Sequence, residues 1–359
     1  MSITIPPGQR TAGIVGLGLI GGSVALALHD AGWTVHGHDT DPERTAAAIE
    51  QGVVVSADIP ADAALIVVAT PVDAVPGLTE ELLASTSAVI MDTGSVKGPI
   101  SAAVSHARFV PSHPMAGSEQ TGLAGARADL FRGAVWPITP SDDTSDESFA
   151  LVHEVVASFG ADPVTLRPDD HDRIVAAVSH VPHLTAAALM NVADRRSDEH
   201  MAMLRLAAGG FRDMTRIAAG SPDIWPPICI QNRDAITDAL DEVIARLGEL
   251  RGAVADGDVA LLQSELTQAR QARVNLPSAV PLPPNLAEVR VRVKDQRGEL
   301  AAITGLAAEL DVNIYDLEIA HSAEGPTGVI VLLVNADTSD VLRGGLLARG
   351  YRPSVRPLS

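Results

Sequence analysis

The stretch GIVGLGLIGGS, Gly13 to Ser23, sets Gly16, Gly18 and Gly21 in the pattern G-x-G-x-x-G. An apolar run precedes it and a helix-forming segment follows, the order that cradles a pyrophosphate between a strand and a helix N-terminus. A lone pattern of this kind is also compatible with a tight turn and nothing more. Here the three glycines divide the work: Gly16 permits the turn, Gly18 lets backbone approach the phosphates, and Gly21 lets helix and strand pack closely. Leu17, Leu19 and Ile20 complete the loop, and the helix dipole adds positive charge. The next apolar run, WTVHGHD, reaches Asp39 about 18 residues beyond Gly21, where a carboxylate accepts from the adenosine ribose hydroxyls. Asp39 also repels a 2′-phosphate, and Thr40 offers no cation to hold one, so the pattern predicts NAD rather than NADP.

Three further apolar runs, ALIVVATPV, AVIMDTGS and ARFVPSHP, follow with helical segments between them. Continuous apolar runs suit strands covered on both faces, so residues 11–165 are predicted to form a doubly wound parallel sheet of Rossmann type, an α/β fold. Ligands bind at the carboxyl edge of such sheets. Thr70, Pro71, Thr93, Ser95 and His113 all follow strands and belong at that edge. Ser95 can equally cap the helix VKGPISAAV. His113 can be structural, yet an imidazole titrating near neutrality, converging there with the cofactor loops, is suited to take a proton.

Residues 166–275 change to long Ala- and Leu-rich helical runs, an all-helical segment whose apolar stripes are too extensive to be covered by the segment alone. A second copy would cover them, which predicts a homodimer. In VSHVPHL, His180 and His183 are three apart; one is expected to be a hydrogen-bonded core residue and the other to face the ligand. GGFRDMTRIA holds Arg212 and Arg216 one helical turn apart, facing a common cleft or a solvated surface. Trp225 is expected in the core. No carboxylate lies at matching spacing to these histidines and thiolates are absent, so no metal is expected. Residues 276–285, LPSAVPLPPN, read as a semi-rigid linker. Beyond it, residues 286–359 alternate as βαββαβ, the ferredoxin-like order.

Of 359 residues, 26 are basic and 45 acidic, a formal charge of -19 that repels a polyanion, so nucleic acid is excluded as a partner. Aromatic residues are 3 %, so mostly aliphatic cores are expected. The single cysteine, Cys229, excludes an intrachain disulfide. The N-terminus lacks a basic start followed by an apolar core, and no uninterrupted apolar run approaches the roughly 20 residues of a membrane span. The expectation is a soluble, cytoplasmic protein with no membrane partner.

Five motifs in one order, GLGLIGGS, DTGSVKG, SHPMAGSEQTG, VSHVPHL and GGFRDMTRIA, resemble those of the prephenate/arogenate dehydrogenases. The C-terminal segment resembles an ACT domain, an effector-binding module. The resemblance implies NAD-dependent oxidative decarboxylation of prephenate to 4-hydroxyphenylpyruvate in tyrosine biosynthesis, with arogenate as the alternative substrate. A non-catalytic sensor of NAD and an amino acid is the alternative from another class. By resemblance, His113 bonds the substrate's ring hydroxyl, and Ser95 positions that histidine and the nicotinamide. Glu119 guards the pocket entrance, His183 touches substrate, and Arg216 grips a carboxylate. Arg212 stands where the family often has lysine, which keeps the charge and changes the geometry. The ACT likeness implies an aromatic amino acid effector, tyrosine by preference, bound near Gly298 and Asn313.

Overall fold

Strands β1 (Thr11–Val15), β2 (Thr34–His38), β3 (Leu65–Val68), β4 (Val89–Asp92) and β5 (Phe109–Val110) form one parallel sheet in the order β2-β1-β3-β4-β5. The computed structural model describes residues 10–117, 120–197, 207–276, 285–294, 296–321 and 327–358. Helices α1 (Leu19–Asp30), α2 (Pro42–Glu50), α3 (Val75–Ser85) and α4 (Gly98–Ala103) make the crossovers. All four residues of β3 are buried. Leu65 and Val67 join one core layer while Ile66 and Val68 join the other, as alternate side chains of a doubly covered strand must. The chain leaves β1 toward β2 and returns on its other side at β3, so the sheet's switch point lies at the carboxyl end of β1, where Gly16 begins its loop. The expected parallel, doubly wound sheet is therefore present, from β1 to β5.

Two strands went unrecognised in the sequence. β6 (Val135–Ile138) and β7 (Asp162–Thr165) pair in parallel, with α5 (Asp146–Ser158) between them, capped by the Ser145 hydroxyl on the Ser148 amide. β6 stitches down the segment after β5: Ser112 bridges Ile138, and the amides of His113 and Met115 donate to Pro137 and Val135 at 2.9 and 3.0 Å. Beneath it Phe131, Trp136 and Phe159 form an aromatic cluster with centroids 4.9–5.9 Å apart, within a core that is otherwise mostly aliphatic.

Next come α6 (Pro168–Val175), a π-helical turn Ala176–His180, and α7 (Val181–Ser197). Pro182 has no N–H to close on the carbonyl four residues back, which accounts for a wider turn at this point. By length and composition Pro168–Arg196 meets the requirement of a bilayer crossing, with mean hydropathy 1.3 over its most apolar window. This corrects the expectation from uninterrupted runs, because a window tolerates the charges that break a run. The same helix carries buried His171, Asp172 and His180, all hydrogen-bonded inside the protein, and Ala176 and Val181 pack with Ile236. It packs in part against the protein interior, with 28% of that window buried.

Helices α8 (Gly209–Thr215), α9 (Trp225–Gln231), α10 (Arg233–Asp256) and α11 (Val259–Val274) complete the helical region. Compactness divides the chain differently from the helical segment 166–275. One unit holds residues as far as Thr185 together with Ile217–Glu249, and a second holds Ala186–Arg216 and the chain from Leu250 onward. The long helices α7 and α10 each start in the first and end in the second, which a change of composition along the chain does not reveal.

In the second unit β8 (Leu286–Lys294), α12 (Glu299–Glu309), β9 (Ile314–His321), β10 (Thr327–Asn335), α13 (Ala336–Ala348) and β11 (Pro353–Pro357) form an antiparallel sheet in the order β11-β8-β10-β9. This is the expected βαββαβ arrangement. Val289, Val291 and Val293 point into its core while Arg290 and Arg292 face out, the period-2 alternation read from VRVRV. Most of the proline-rich segment 276–285 lies outside the described residues.

Candidate active site

The glycine loop is shaped by backbone. Gly16 has φ +95°, and a Cβ there would stand 2.4 Å from the Ala69 carbonyl oxygen. A Cβ on Gly21 would stand 1.9 Å from the Gly16 carbonyl oxygen, whereas one on Gly18 meets nothing within 4 Å. So Gly16 and Gly21 are required by the fold, and Gly18 leaves space outside it. Gly21→Ala is expected to cost about 1–3 kcal/mol through a forced backbone shift, read as a lowered thermal midpoint. No side chain caps α1, so its first amides are available to an anion. At the end of β3, Thr70 lies against Gly16, and its buried hydroxyl has no partner among the described residues. Thr70, Thr93 and Ser95 are half-buried and Pro71 is exposed, all at the carboxyl edge. An open space at Gly18, free helix amides and an orphaned hydroxyl fit a dinucleotide.

Asp39 follows β2, and its carboxylate accepts from the Leu17 amide at 2.8 Å and the Asp41 amide at 3.0 Å. Arg44, on α2, lies 3.0 Å from both carboxylate oxygens. Burial pushes the Asp39 pKa up, but the two amides and the Arg44 guanidinium outweigh it and hold the carboxyl below the ordinary value. The sequence reading found no cation near this site; Arg44 supplies one, brought back by the first turn of α2. Its charge is matched by Asp39 and by Asp41, 3.7 Å away.

His113 follows β5 and is half-buried. Its Nδ1 lies 2.9 Å from Nε2 of His171, and Nδ1 of His171 lies 2.8 Å from Oδ1 of Asp172. Among the described residues the His113 ring is partnered by His171 and not by Ser95. Asp172, from α6, accepts from the Lys97 and Gly98 amides at 2.7 Å each. Asp172, not Ser95, therefore caps α4, across about 75 residues of chain. Beneath this, Lys97 is fully buried; its ammonium pairs with Asp92 and donates to the Ser112 carbonyl at 2.7 Å. Asp92 also accepts from the Gly94 and Ser112 amides. Burial drives the His113 pKa well below its ordinary value, and the Lys97 ammonium pushes it the same way.

His180 is buried, and its Nδ1 lies 3.2 Å from the Asn232 side-chain nitrogen, which also donates to the Asp172 carbonyl. Burial takes its pKa down to about 4. It is the hydrogen-bonded core histidine of the pair. His183 stacks on Trp225 with centroids 3.6 Å apart and planes 14° from parallel. Burial lowers the pKa of this ring too. Trp225, expected in the core, is only half-buried and forms a face against His183. In the second unit Arg212 and Arg216 are both exposed; Arg212 lies within α8, with Nε 3.2 Å from the Ala207 carbonyl, and Arg216 begins the following 3-10 turn. Gly298 has φ +96° at the start of α12, and Asn313 is exposed just before β9. Glu119 lies outside the described residues. The sequence reading missed His171, Asp172, Lys97, Asp92 and Asn232. The only local signal was the density of polar groups in DDHD and DTGSVK.

The nucleotide-binding domain of prephenate dehydrogenase matches residues 24–165, and the prephenate dehydrogenase dimerization domain matches residues 167–268. A prephenate dehydrogenase of Bacillus subtilis is 32% identical over 90% of this chain and 92% of its own length. The chain belongs to the prephenate dehydrogenase family. Among solved structures of the family, prephenate dehydrogenase from A. aeolicus, in complex with hydroxyphenyl propionate and NAD+, is 26% identical with a TM-score of 0.70, covering 77% of this chain and all (100%) of that one. Synechocystis arogenate dehydrogenase is 29% identical with a TM-score of 0.65, covering 74% of this chain and 100% of that one. The family thus includes relatives named for either substrate.

Proposed function

We propose that this protein oxidises prephenate with NAD, releasing carbon dioxide and 4-hydroxyphenylpyruvate, and that His113 is its general base. Family membership supports the reaction. The observation that carries the choice of base is a half-buried imidazole at the carboxyl edge of a dinucleotide-binding sheet, its pKa held low enough to stay neutral. Prephenate carries a ring hydroxyl, a ring carboxylate and a pyruvyl side chain. NAD, when bound, accepts the hydride from the hydroxyl-bearing carbon. His113 takes the hydroxyl proton as that oxygen becomes a carbonyl, and returns it to the oxygen when loss of carbon dioxide sends the electron pair into the ring and makes it an aromatic phenol. Arg216, with Arg212 beside it in sequence, holds the side-chain carboxylate rather than the departing one, since pairing the leaving group would stabilise the ground state. Glu119 and His183 contribute to the pocket, His183 with one face closed by Trp225. Ser95, at the carboxyl edge of the sheet, is assigned to the nicotinamide side.

Leu17, Leu19 and Ile20 with the three glycines hold the pyrophosphate, Thr70, Pro71 and Thr93 line the nicotinamide side, and Asp39 takes the ribose. Gly18→Ala tests the first of these. Its Cβ meets nothing in the protein, so stability should match the wild type while NAD affinity falls about tenfold, roughly 1.4 kcal/mol. The reaction itself is tested by following NADH and carbon dioxide with prephenate and arogenate, each with NAD and NADP. Prephenate with NAD should be fastest; faster arogenate turnover would reassign the substrate, and no turnover of either would leave the non-catalytic sensor.

The matched dimerization domain, with exposed Ile244, Leu247 and Val254 on α10 and Val259, Leu261 and Leu266 on α11, supports a homodimer through these helices. The C-terminal βαββαβ sheet is read as an ACT-like regulatory domain taking tyrosine or another aromatic amino acid near Gly298 and Asn313. Calorimetry of the full chain with tyrosine, together with NADH production in its presence, tests that regulation.

A further inference from the structure

His171 is fully buried and takes no part in the chemistry set out above, yet it stands between His113 and Asp172. The order of donors along this row follows from groups whose roles are not in question. Backbone amides only donate, so both oxygens of Asp172 accept, from Lys97 and from Gly98. A carboxylate engaged in this way is an acceptor, and the Nδ1 of His171 must bring the proton to it. A neutral imidazole protonated on Nδ1 has a lone pair on Nε2. That lone pair faces Nδ1 of His113, which must then carry a proton in turn. The nitrogen left bare on His113 is Nε2.

We propose that His171, oriented by Asp172, is a positioning residue that locks His113 in the Nδ1–H tautomer and so selects Nε2 as the basic nitrogen. The inference rests on reading His113 as the base. The rings meet edge-on, centroids 5.1 Å apart and planes at 70°, which aims a nitrogen of one at a nitrogen of the other. The same row serves the charged state. Once His113 has taken a proton on Nε2, its Nδ1–H still has the His171 lone pair to donate to, with the Asp172 carboxylate behind it. Ser-His-Asp hydrolases use a single aspartate for this purpose, and spoiling the tautomer there is severely damaging. In this protein a second imidazole extends the reach from a helix cap to the base. The cap matters because Asp172 is anchored to α4, the helix that follows β4, so the tautomer is referred to the sheet itself.

Long-range 1H–15N spectra of the histidine-labelled full chain read the tautomer directly, with the His113 signal assigned by its loss in His113→Gln. Wild type should show His113 protonated on Nδ1; protonation on Nε2 overturns the proposal. His171→Leu removes the acceptor. It should mix the two tautomers and lower kcat on prephenate by about 10–1,000-fold, with KM and NAD affinity within about twofold. His171→Gln returns an acceptor oxygen and should recover most of kcat. Unchanged kcat and an unchanged tautomer in a folded His171→Leu would overturn the proposal. Should that variant not fold, the wild-type spectrum and the Gln variant decide. If the wild type turns over neither prephenate nor arogenate, the functional reading falls, while the spectrum still decides the tautomer.

Discussion

His113→Asn is expected to lower kcat with prephenate by about 10²–10⁴ while NAD binding stays at its wild-type strength. The substitution removes the proton acceptor and leaves the glycine loop, Thr70 and Asp39 untouched. Asparagine also keeps a polar group for His171 to meet. The pH dependence gives an independent check. His113 acts as a base only when neutral, so activity is present above its pKa and lost as pH falls through it. Burial has moved that pKa well below 6.5, and the Lys97 ammonium moves it further. Asp172 stands behind His171 and does not reverse the shift. The acid limb of kcat/KM should therefore lie below pH 6.5. Folding stability follows the same sign. Between the ordinary histidine value and the folded one, the unfolded chain binds a proton that the folded chain does not, so stability is lost as pH falls. His180, with its pKa at about 4, adds to this loss between pH 6.5 and 4. His113→Asn should flatten the fall of stability below pH 6.5 without abolishing it. A loss of less than about tenfold in kcat, or an acid limb above 6.5, would remove His113 from its assigned role.

What could be read in advance depended on how far along the chain each interaction reaches. The glycine loop, the doubly covered strands and the period-2 alternation of VRVRV are local patterns, each set by backbone geometry or by the faces a strand presents. His113 could be placed at the sheet edge because a strand end is a local feature too. The groups that hold it in place were not readable. His171 reaches it across 58 residues and Asp172 reaches Lys97 across 75, and in the sequence DDHD looks only like the acidic first turn of a helix. Ser95 was a reasonable cap for α4 by residue type. The cap came instead from a carboxylate on another helix, which no propensity indicates. Arg44 escaped notice for a different reason: its guanidinium returns to Asp39 only once α2 has wound its first turn. β6 was hidden by Pro137 and by its short length, though its carbonyls hold the backbone of His113.

Lys97→Met should be the most destabilising single change in the first unit. The ammonium is fully buried, paired with Asp92 and bonded to the Ser112 carbonyl. Burial lowers its pKa, and Asp92 and Asp172 oppose that shift without cancelling it. Methionine fills much of the same volume, so the loss is not one of packing. It leaves the Asp92 carboxylate buried with only the Gly94 and Ser112 amides to hold it, and an uncompensated buried charge costs about 3–5 kcal/mol. Against a total stability of about 5–15 kcal/mol, that is a large share. Urea unfolding measures it. The double variant Lys97→Met with Asp92→Asn separates charge from shape: the amide keeps an oxygen for the two N–H groups and carries no charge. It should be more stable than Lys97→Met alone, although it still lacks the donor to Ser112. Activity need not follow stability, because that lost donor frees the carbonyl immediately before His113. If the ion pair matters chiefly for holding Ser112, the double variant will recover its unfolding midpoint and still turn over prephenate slowly. A cost below about 1 kcal/mol for Lys97→Met would mean that Asp92 had found another partner or taken a proton, and the pair would then have no claim on the geometry of the base.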